Sequence, residues 1–376
     1  MNIALVLLSA NQYGGITYAR NLIPALAAAD TVNTYHLFIA KNHPLIPFIR
    51  FRNFTVHECP GAGSELARFT WEQCVLPFVF LKYGIHVVYT AKNIAIYFAR
   101  CKTVIALRNM EPLRYKEYNN HWTLNLRSWL KFQLTKWSFR KADAIVAVSG
   151  AVKDYLEAHF PTVRGKVVVI YNGNPVPIGR GGATSPVFVE PFLLCASKIV
   201  AYANQLNLVR AYGILHQNHP SIPPLWLIGG VHDPQYAQAI KKIISDLRLE
   251  KKIVWKGLVD QQKLFDLYRS TSLFIFPSTL ESCPHTLIEA MSCGALIACS
   301  HTAPMPEICQ NVAAYFNPDD PKDIASTIEG LLEEDSETAH RRREAGFQRS
   351  SAFTWANSAE QLTTVFSNVV ERRRVE

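Results

Sequence analysis

A chain of 376 residues exceeds what one hydrophobic core usually organises, so we expect two domains. Hydrophobic residues make up 49% and charged residues 18%, which excludes extensive disorder. The net charge of +9 predicts an acidic partner. Three kinds of partner fit: nucleic acid, an anionic membrane and a phosphorylated substrate. No apolar run reaches 18 residues, so a membrane-spanning helix is not expected. Eight cysteines without a C-x-x-C pair favour a reducing, cytoplasmic location.

Short apolar runs alternate with amphipathic helical patterns along the chain. In the first half, the pattern predicts strands at 3–8, 35–39, 87–89, 103–107, 144–148 and 167–171. In the second half, it predicts strands at 192–196, 225–228, 253–256, 273–276, 296–298 and 314–316. Because the strands are apolar throughout, the alternation indicates an α/β fold with parallel sheets covered on both faces.

Residues 172–191 are rich in Gly, Pro and Ser and break both periodicities, so we interpret them as a linker. This predicts a Rossmann-like domain at 1–175 and a second at 176–352. A C-terminal helix at 353–376 is expected to cross back to the first domain. Ligands of open α/β sheets bind outside the carboxyl ends of the strands, which predicts a shared cleft.

The first helix opens on Gly14 and Gly15. Two glycines alone indicate an ordinary turn, whereas in a ligand site they allow the backbone to approach a phosphate. Pro24 lies well inside this helix and is expected to kink it.

Residues 122–141 alternate aromatic or leucine side chains with basic ones. One interpretation is a core-facing helix with a solvated basic face. The other is a surface that rests on anionic lipid, with Trp at the interface. The cations are Arg127, Lys131, Lys136, Arg140 and Lys141, and the aromatics are Trp122, Trp129, Phe132, Trp137 and Phe139.

The segment 274–300 carries the strongest functional signal. A strand ends at Phe276 and a helix is expected to begin near Thr286. Thr286-x-x-Glu289 matches a capping box, in which Glu289 only caps its own helix. Alternatively, free backbone N–H groups at His285, Thr286 and Leu287 hold a diphosphate, and Glu289 accepts hydrogen bonds from a ribose diol.

The two glutamates Glu281 and Glu289, within P-S-x-x-E-S-x-x-x-x-x-I-E-A-M-x-x-G, resemble the E-x7-E segment of retaining glycosyltransferases of the GT-B fold, family 4. Nearly the whole chain is similar to this family. Further resembling segments, in the family's order, are Gly14-Gly15, Val148-Ser149, Ile170-Tyr171-Asn172-Gly173, Lys256-Gly257 and Pro306-Glu307-Ile308. The resemblance implies two Rossmann-like doubly wound domains that face each other across a cleft.

The resemblance also implies which residues form the site. Glu289 is expected at the donor ribose, Lys256 and Gly257 beside the nucleobase, and Glu281 at the transferred sugar or the cleft. Catalytic roles are expected for Asn109, Lys198 and Glu281. The implied donor-binding residues are Gly14, Gly15, Lys198, Lys256, Gly257, Leu258, Glu281, Pro284, His285, Thr286, Leu287 and Glu289.

Two positions depart from the family pattern. Members usually carry an arginine and, five residues later, a lysine that neutralise the donor diphosphate. Here Lys198 replaces the arginine without its bidentate fork, and Ala203 stands at the second cation. The enzyme is therefore slow, or another cation fills the gap, or this copy carries a lysine-to-alanine change.

The second departure follows the strand 103–107, where relatives often place a histidine or aspartate. The candidates here are Arg108, Asn109 and Glu111. Asn109 can hydrogen-bond a sugar hydroxyl but cannot act as a general base. A retaining route in which the leaving phosphate takes the acceptor proton tolerates this. The alternative is a polar loop that caps the strand.

We therefore expect a retaining transfer from a nucleoside diphosphate sugar to a glycan or lipid-linked acceptor in cell-surface polysaccharide synthesis. Without an Asp-x-Asp motif, no metal and no cofactor are expected. The protein is expected in the cytoplasm, at the inner face of the membrane. The alternatives are an impaired donor-binding protein and a basic nucleic-acid-binding protein, although no recognised nucleic-acid module is present.

Overall fold

The computed structural model describes residues 1–10, 13–60, 64–118, 122–176 and 190–371, and it divides into two compact units. Unit 1 comprises Met1–Gly173 and the C-terminal segment that begins at Thr354, and unit 2 comprises Asn174–Phe353. These bounds differ by one or two residues from the domain limits expected from the sequence. Most of the expected linker, at 177–189, lies outside the described residues.

Unit 1 is built on one sheet of seven strands. They are β1 Asn2–Val6, β2 Thr34–Ala40, β3 Phe54–Cys59, β4 Val87–Thr90, β5 Lys102–Leu107, β6 Ala144–Ala147 and β7 Val167–Val169. Each neighbouring pair is parallel, in the order β3-β2-β1-β4-β5-β6-β7. The sequence analysis missed β3, because this edge strand is half exposed and has no continuous apolar run.

In the described residues, six α-helices accompany this sheet before the chain leaves unit 1. They are α1 Tyr13–Ala29, α2 Glu65–Cys74, α3 Leu76–Lys82, α4 Tyr115–Tyr118, α5 Trp122–Lys141 and α6 Gly150–His159. Pro24 lies inside α1, and both glycines, Gly14 and Gly15, lie in its first turn. Ser149 caps α6 by accepting a hydrogen bond from the Val152 N–H, so this serine has a structural role.

Unit 2 contains a sheet of six parallel strands. They are β8 Leu193–Ala196, β9 Leu225–Ile228, β10 Ile253–Gly257, β11 Leu273–Phe276, β12 Ile297–Ser300 and β13 Ala314–Phe316. The order is β10-β9-β8-β11-β12-β13. The core strands β8 and β11 are buried along their whole length, which explains their uninterrupted apolar sequences.

The described helices of unit 2 lie between and after these strands. They are α7 Gln205–Asn218, α8 Pro234–Asp246, α9 Gln261–Ser270, α10 His285–Ser292, α11 Met305–Cys309, α12 Pro321–Glu333 and α13 Ser336–Ser350.

The C-terminal helix α14, Trp355–Glu371, returns to unit 1 and packs in the same apolar core as β1 and α1. Trp355 meets Tyr18 edge to face, with ring centroids 5.5 Å apart. A Cβ at Gly173 would lie 2.3 Å from the Trp355 backbone nitrogen, so only glycine fits there. Within the described part of the chain, no helix combines the length and apolarity needed to cross a membrane.

Candidate functional site

The site in unit 2 begins where the order of its sheet reverses. The strands β8 and β11 are neighbours in the sheet, and the loops 197–204 and 277–284 leave their carboxyl ends. In open α/β sheets ligands bind at such a switch point. Topology therefore places Lys198 and Glu281 on adjacent loops of one crevice.

Hydrogen bonds hold these two loops in place. The Thr279 N–H donates to the Tyr202 carbonyl over 2.8 Å. The Asn204 amide donates to the carbonyl oxygens of Pro277, at 3.2 Å, and Pro318, at 2.7 Å. Asn204 has a left-handed backbone (φ 60°), which asparagine tolerates better than most residues. The sequence analysis did not identify this bridging role.

Glu281 and Lys198 interact electrostatically. Burial raises the pKa of the Glu281 carboxyl to about 7, opposed by a hydrogen bond from the Ser278 hydroxyl and by the Lys198 charge. Lys198 itself is exposed. The structure thus brings together two predicted site residues that are 83 positions apart in the sequence. A carboxyl with a pKa near neutrality can exchange protons under physiological conditions.

Glu289 lies deeper, on α10. It is 7% exposed, and burial raises the pKa of its carboxyl to about 8. Its charge also acts on Tyr268, whose hydroxyl is buried and has no hydrogen-bond partner in the described structure. Hydrogen-bond donors from a ligand would stabilise the ionised carboxylate in this place.

The capping-box interpretation of Glu289 is wrong. The helix α10 begins at His285, its N-cap is Pro284, and no side chain caps it. With Pro284 at the N-cap, the capping-box glutamate would have to stand at Leu287, two positions earlier than Glu289. A buried carboxyl that does not cap its helix is consistent with a binding role.

The prediction of three free N–H groups at this turn is also wrong. The His285 N–H donates to the Cys283 carbonyl over 2.9 Å, and the Leu287 N–H donates to the Pro284 carbonyl over 3.0 Å. The tight turn at Pro284 uses these donors to start the helix. Leu287 is also fully buried, so its side chain does not reach a ligand. For Thr286, a backbone N–H that binds the diphosphate stays a prediction.

The loops after β9 and β10 form the other side of the crevice. Leu258 is 60% exposed, and Gly257 has a positive φ of 71°. The Lys256 ammonium lies 4.4 Å from the centroid of the Trp226 ring, a cation–π contact. The sequence analysis missed Gly229, although a Gly-Gly pair directly after a buried strand is a readable signal. Its backbone touches the Ser197 carbonyl so closely that a Cβ would lie 1.9 Å from that oxygen.

Ala203 lies in a short 3₁₀ helix at Ala201–Ala203 and is 2% exposed. Its methyl group therefore fills space in the protein, and no cation is supplied at this position. Lys198 is the cation that the loop 197–204 provides.

In unit 1, Gly15 packs against the loop that precedes α1. A Cβ there would lie 2.9 Å from the Ala10 Cα, whereas a Cβ at Gly14 would meet nothing within 4 Å. The Arg108 guanidinium stacks on the Tyr18 ring at 3.7 Å and donates to the Gly14 carbonyl over 3.3 Å. Arg108, rather than Asn109, thus connects the end of β5 to the glycine turn.

Asn109 is exposed after β5, but its side-chain oxygen accepts the Glu111 N–H over 2.9 Å. The backbone carbonyl of Asn109 accepts a hydrogen bond from the Asn93 amide over 2.6 Å. These bonds support the interpretation of a polar loop that caps the strand. A catalytic role of Asn109 stays a prediction.

The described residues contain one cluster with metal-ligand geometry, formed by His219, Glu329 and Glu333. It lies after the end of α7 and on α12. Since α7 starts at the switch point and runs back along the sheet, the cluster is at the opposite edge of unit 2. It therefore does not contribute to the crevice.

Glu289 makes stability depend on pH. Its raised pKa means that the folded state keeps a proton which the unfolded state loses above about pH 4.5. The folded state therefore gains most from this proton below about pH 4.5. The free energy of unfolding then falls as pH rises towards about 8, where the folded protein loses the proton as well. We expect Glu289→Gln to raise the thermal midpoint more at pH 8.5 than at pH 5, measured by circular dichroism. The exposed Glu250→Gln is the control; an equal response of both variants would contradict the assignment.

Both halves of the chain match known protein families. Residues 189–349 match the family described as glycosyl transferases group 1, and residues 13–175 match glycosyltransferase family 4. The serotype-specific mannosyltransferase WbdA of Escherichia coli is 26% identical over 285 residues, covering 72% of this chain and 34% of that protein. This chain thus spans about a third of the length of that relative. The alpha-maltose-1-phosphate synthase of Mycolicibacterium smegmatis is 22% identical, covering 71% and 73%.

Solved structures share the fold. Sucrose-phosphate synthase from Thermosynechococcus elongatus superposes with a TM-score of 0.77 at 19% identity, covering 99% of this chain and all of that one. The Anabaena protein HepE, solved with UDP and glucose, has a TM-score of 0.73 at 19% identity and covers 98% and 100%. Together with the two parallel sheets, these likenesses confirm the predicted GT-B fold.

Proposed function

Since the chain belongs to the glycosyl transferases of group 1, we propose that it moves a sugar from a nucleoside diphosphate sugar to a glycan or lipid-linked acceptor, with retention of configuration. The observation that carries this proposal is the crevice of unit 2. There the exposed cation Lys198 acts on the carboxyl of Glu281, whose pKa is raised. A second carboxyl of raised pKa, Glu289, lies on the helix that follows the same loop. The match to the O-antigen chain mannosyltransferase B of Escherichia coli favours cell-surface polysaccharide synthesis. We propose that the protein acts in the cytoplasm.

Each of these residues has a distinct part in the proposed reaction. The carboxylate of Glu289 accepts hydrogen bonds from the ribose diol. These bonds lower the pKa of Glu289, so the carboxyl loses its proton when the donor binds. Lys198 and the dipole of α10 stabilise the charge that develops on the departing diphosphate. Glu281 faces the transferred sugar. Because the leaving phosphate takes the acceptor proton, no separate general base is required, and we propose that no metal is required either.

A transfer assay tests this function. The protein is incubated with UDP-, GDP-, ADP- and TDP-sugars and an oligosaccharide acceptor, with and without EDTA, and the product is analysed by NMR. We expect one donor class to give a product with the donor's anomeric configuration, at a rate that EDTA does not change. An inverted product would overturn the retaining mechanism, and loss of activity in EDTA would overturn metal independence.

A second candidate is an impaired donor-binding protein, and Ala203 is the observation that favours it. The buried methyl group leaves the departing diphosphate without a second cation from this loop. Ala203→Lys is the matched test, because a long side chain can reach the surface from a buried stem. If donor hydrolysis occurs only in this variant, the natural chain is impaired. If the natural chain already transfers sugar, the second candidate is removed.

We also propose that unit 1 rests on an anionic membrane through exposed side chains of α5 and α3. Trp129 and Trp137 are 44% and 56% exposed, and Phe78 on α3 is 72% exposed. Large exposed apolar side chains beside basic residues are typical of a membrane-surface site. Two of the predicted cations, Arg127 and Lys131, are paired with Glu65 and hold the pKa of its carboxyl at about 2. Since these two cations are already paired, the exposed aromatic side chains contribute more to the proposed membrane contact than the sequence pattern indicated.

Vesicle sedimentation measures this contact. We expect binding to phosphatidylglycerol vesicles that weakens several-fold in Trp137→Ser, since the indole loses its place at the lipid interface. The matched control is Phe347→Ser, which removes an exposed aromatic from unit 2. Absence of wild-type binding at moderate salt, or equal loss in both variants, would contradict this surface.

A further inference from the structure

An apolar groove lies on unit 1, on the side of α1 that faces the connection from β2 to β3. Its volume is about 390 Å³, within the usual range for small-molecule sites. Apart from Arg20, the side chains that line it are apolar. They include Ile23, Pro24, Leu45, Phe48, Ile49 and Phe51.

The groove is open and pre-formed. Phe48 is 75% exposed, although it belongs to a short 3₁₀ helix, Ile46–Phe48, that is fixed to unit 1. The fixing contacts run through His43, which is buried and whose ring is 3.1 Å from the Ala10 carbonyl. An apolar ligand that covers this exposed phenylalanine removes apolar surface from water, which favours binding.

The charge around the groove selects the kind of ligand. Arg20 lines it, and Arg50 and Arg52 flank Phe51 in the same connection. All three cations are exposed, and no ion pair is formed by them in the described structure. The two segments that form the walls, Tyr13–Ala29 and residues 41–53, contain no Asp or Glu. An apolar lining that carries the exposed Arg20, between two segments without acidic residues, is complementary to an amphipathic anion.

We propose that this groove binds the single apolar chain of an anionic acceptor, with Arg20 near the acceptor's phosphate. A bare sugar is disfavoured, because the lining offers few partners for hydroxyl groups. On the α1 side, the groove is lined by Ala19, Arg20, Ile23 and Pro24, in the middle of that helix. This inference rests on the proposed function for the identity of the ligand as acceptor.

The groove is separate from the proposed membrane surface. Ile23 and Leu45 belong to the apolar cluster on one face of the sheet of unit 1, whereas Leu76 and Phe80 of α3 belong to the cluster on the other face. A chain in the groove is therefore a single bound ligand and not part of a bilayer. Substitutions on the two faces can be used as controls for each other.

Calorimetry with octyl phosphate, octanol and inorganic phosphate tests the groove on the full chain without donor. We expect one site for octyl phosphate, weaker binding of octanol, and none of inorganic phosphate. Phe48→Ser should weaken both octyl ligands about tenfold. Arg20→Gln should weaken octyl phosphate alone, since octanol carries no charge. Phe78→Ser, which removes an equally exposed phenylalanine from α3, should leave all three unchanged.

Wild-type affinity for octyl phosphate in Phe48→Ser, or equal affinity for inorganic phosphate, would overturn the proposal. So would a loss of vesicle binding in Phe48→Ser without a loss of octyl phosphate binding, since the groove would then be membrane surface. In the transfer assay, Phe48→Ser should raise the KM of a lipid-linked acceptor but not that of the donor. Because the calorimetry needs no turnover, failure of the transferase proposal would show separately from failure of the groove.

Discussion

Replacing Gly229 with alanine is expected to destabilise unit 2 and to disrupt the loops that form its crevice. A Cβ at this position would lie 1.9 Å from the Ser197 carbonyl oxygen, and the backbone φ of 146° is one that L side chains rarely adopt. Such a conformation costs roughly 1–3 kcal/mol in a non-glycine residue. The overlap also forces the loop that carries Lys198 to move. We expect a stability loss above about 3 kcal/mol, measured by urea unfolding, and loss of donor binding.

The adjacent Gly230→Ala is the matched control. Its Cβ would meet only the end of the Leu258 side chain, at 3.4 Å or more, and its φ lies outside the restricted region. Gly230→Ala should therefore unfold close to wild type. Similar unfolding curves for the two variants would show that the close approach of Gly229 to Ser197 is not required.

Replacing Lys198 with alanine is expected to lower kcat by one to two powers of ten. The lost charge-assisted contact to the departing diphosphate is worth roughly 1.5–3 kcal/mol. Ala203 supplies no second cation that could take over. The Lys198 charge also lowers the pKa of Glu281, so its removal should move that pKa above about 7. A kcat profile that depends on ionised Glu281 should then shift to higher pH.

Lys198→Arg distinguishes charge from shape. It keeps the positive charge and adds the fork that relatives carry, so its kcat should equal or exceed that of the natural chain. An unchanged kcat in Lys198→Ala would contradict the role of this cation. An unchanged pH profile would contradict its coupling to Glu281.

Much of the fold was readable because the central strands are buried on both faces. Strands such as β8 and β11 are apolar at every position, which makes them visible without an alignment. The edge strand β3 was not visible, since its exposed positions interrupt the pattern. The return of α14 to unit 1 was expected from its position after the second domain, and Trp355 and Phe366 now show which side chains hold it.

The site was only partly readable. The E-x7-E spacing located Glu281 and Glu289, but the sequence did not show that the turn at Pro284 consumes the His285 and Leu287 N–H groups. Hydrogen bonding within a turn depends on its three-dimensional path, and residue identity records little of it. The apolar groove was also hidden, because its walls come from segments that are separate in the sequence.

The most direct test of the central claim is a thermal-shift measurement with UDP, GDP, ADP and TDP on the natural chain and on Glu289→Ala. A ligand that binds only the folded protein at a hundred times its Kd stabilises it by about 2.7 kcal/mol. We predict that one nucleoside diphosphate raises the midpoint of the natural chain and that Glu289→Ala loses most of this shift. If no nucleoside diphosphate shifts the natural chain, or if Glu289→Ala responds fully, the crevice around Glu289 is not the donor site.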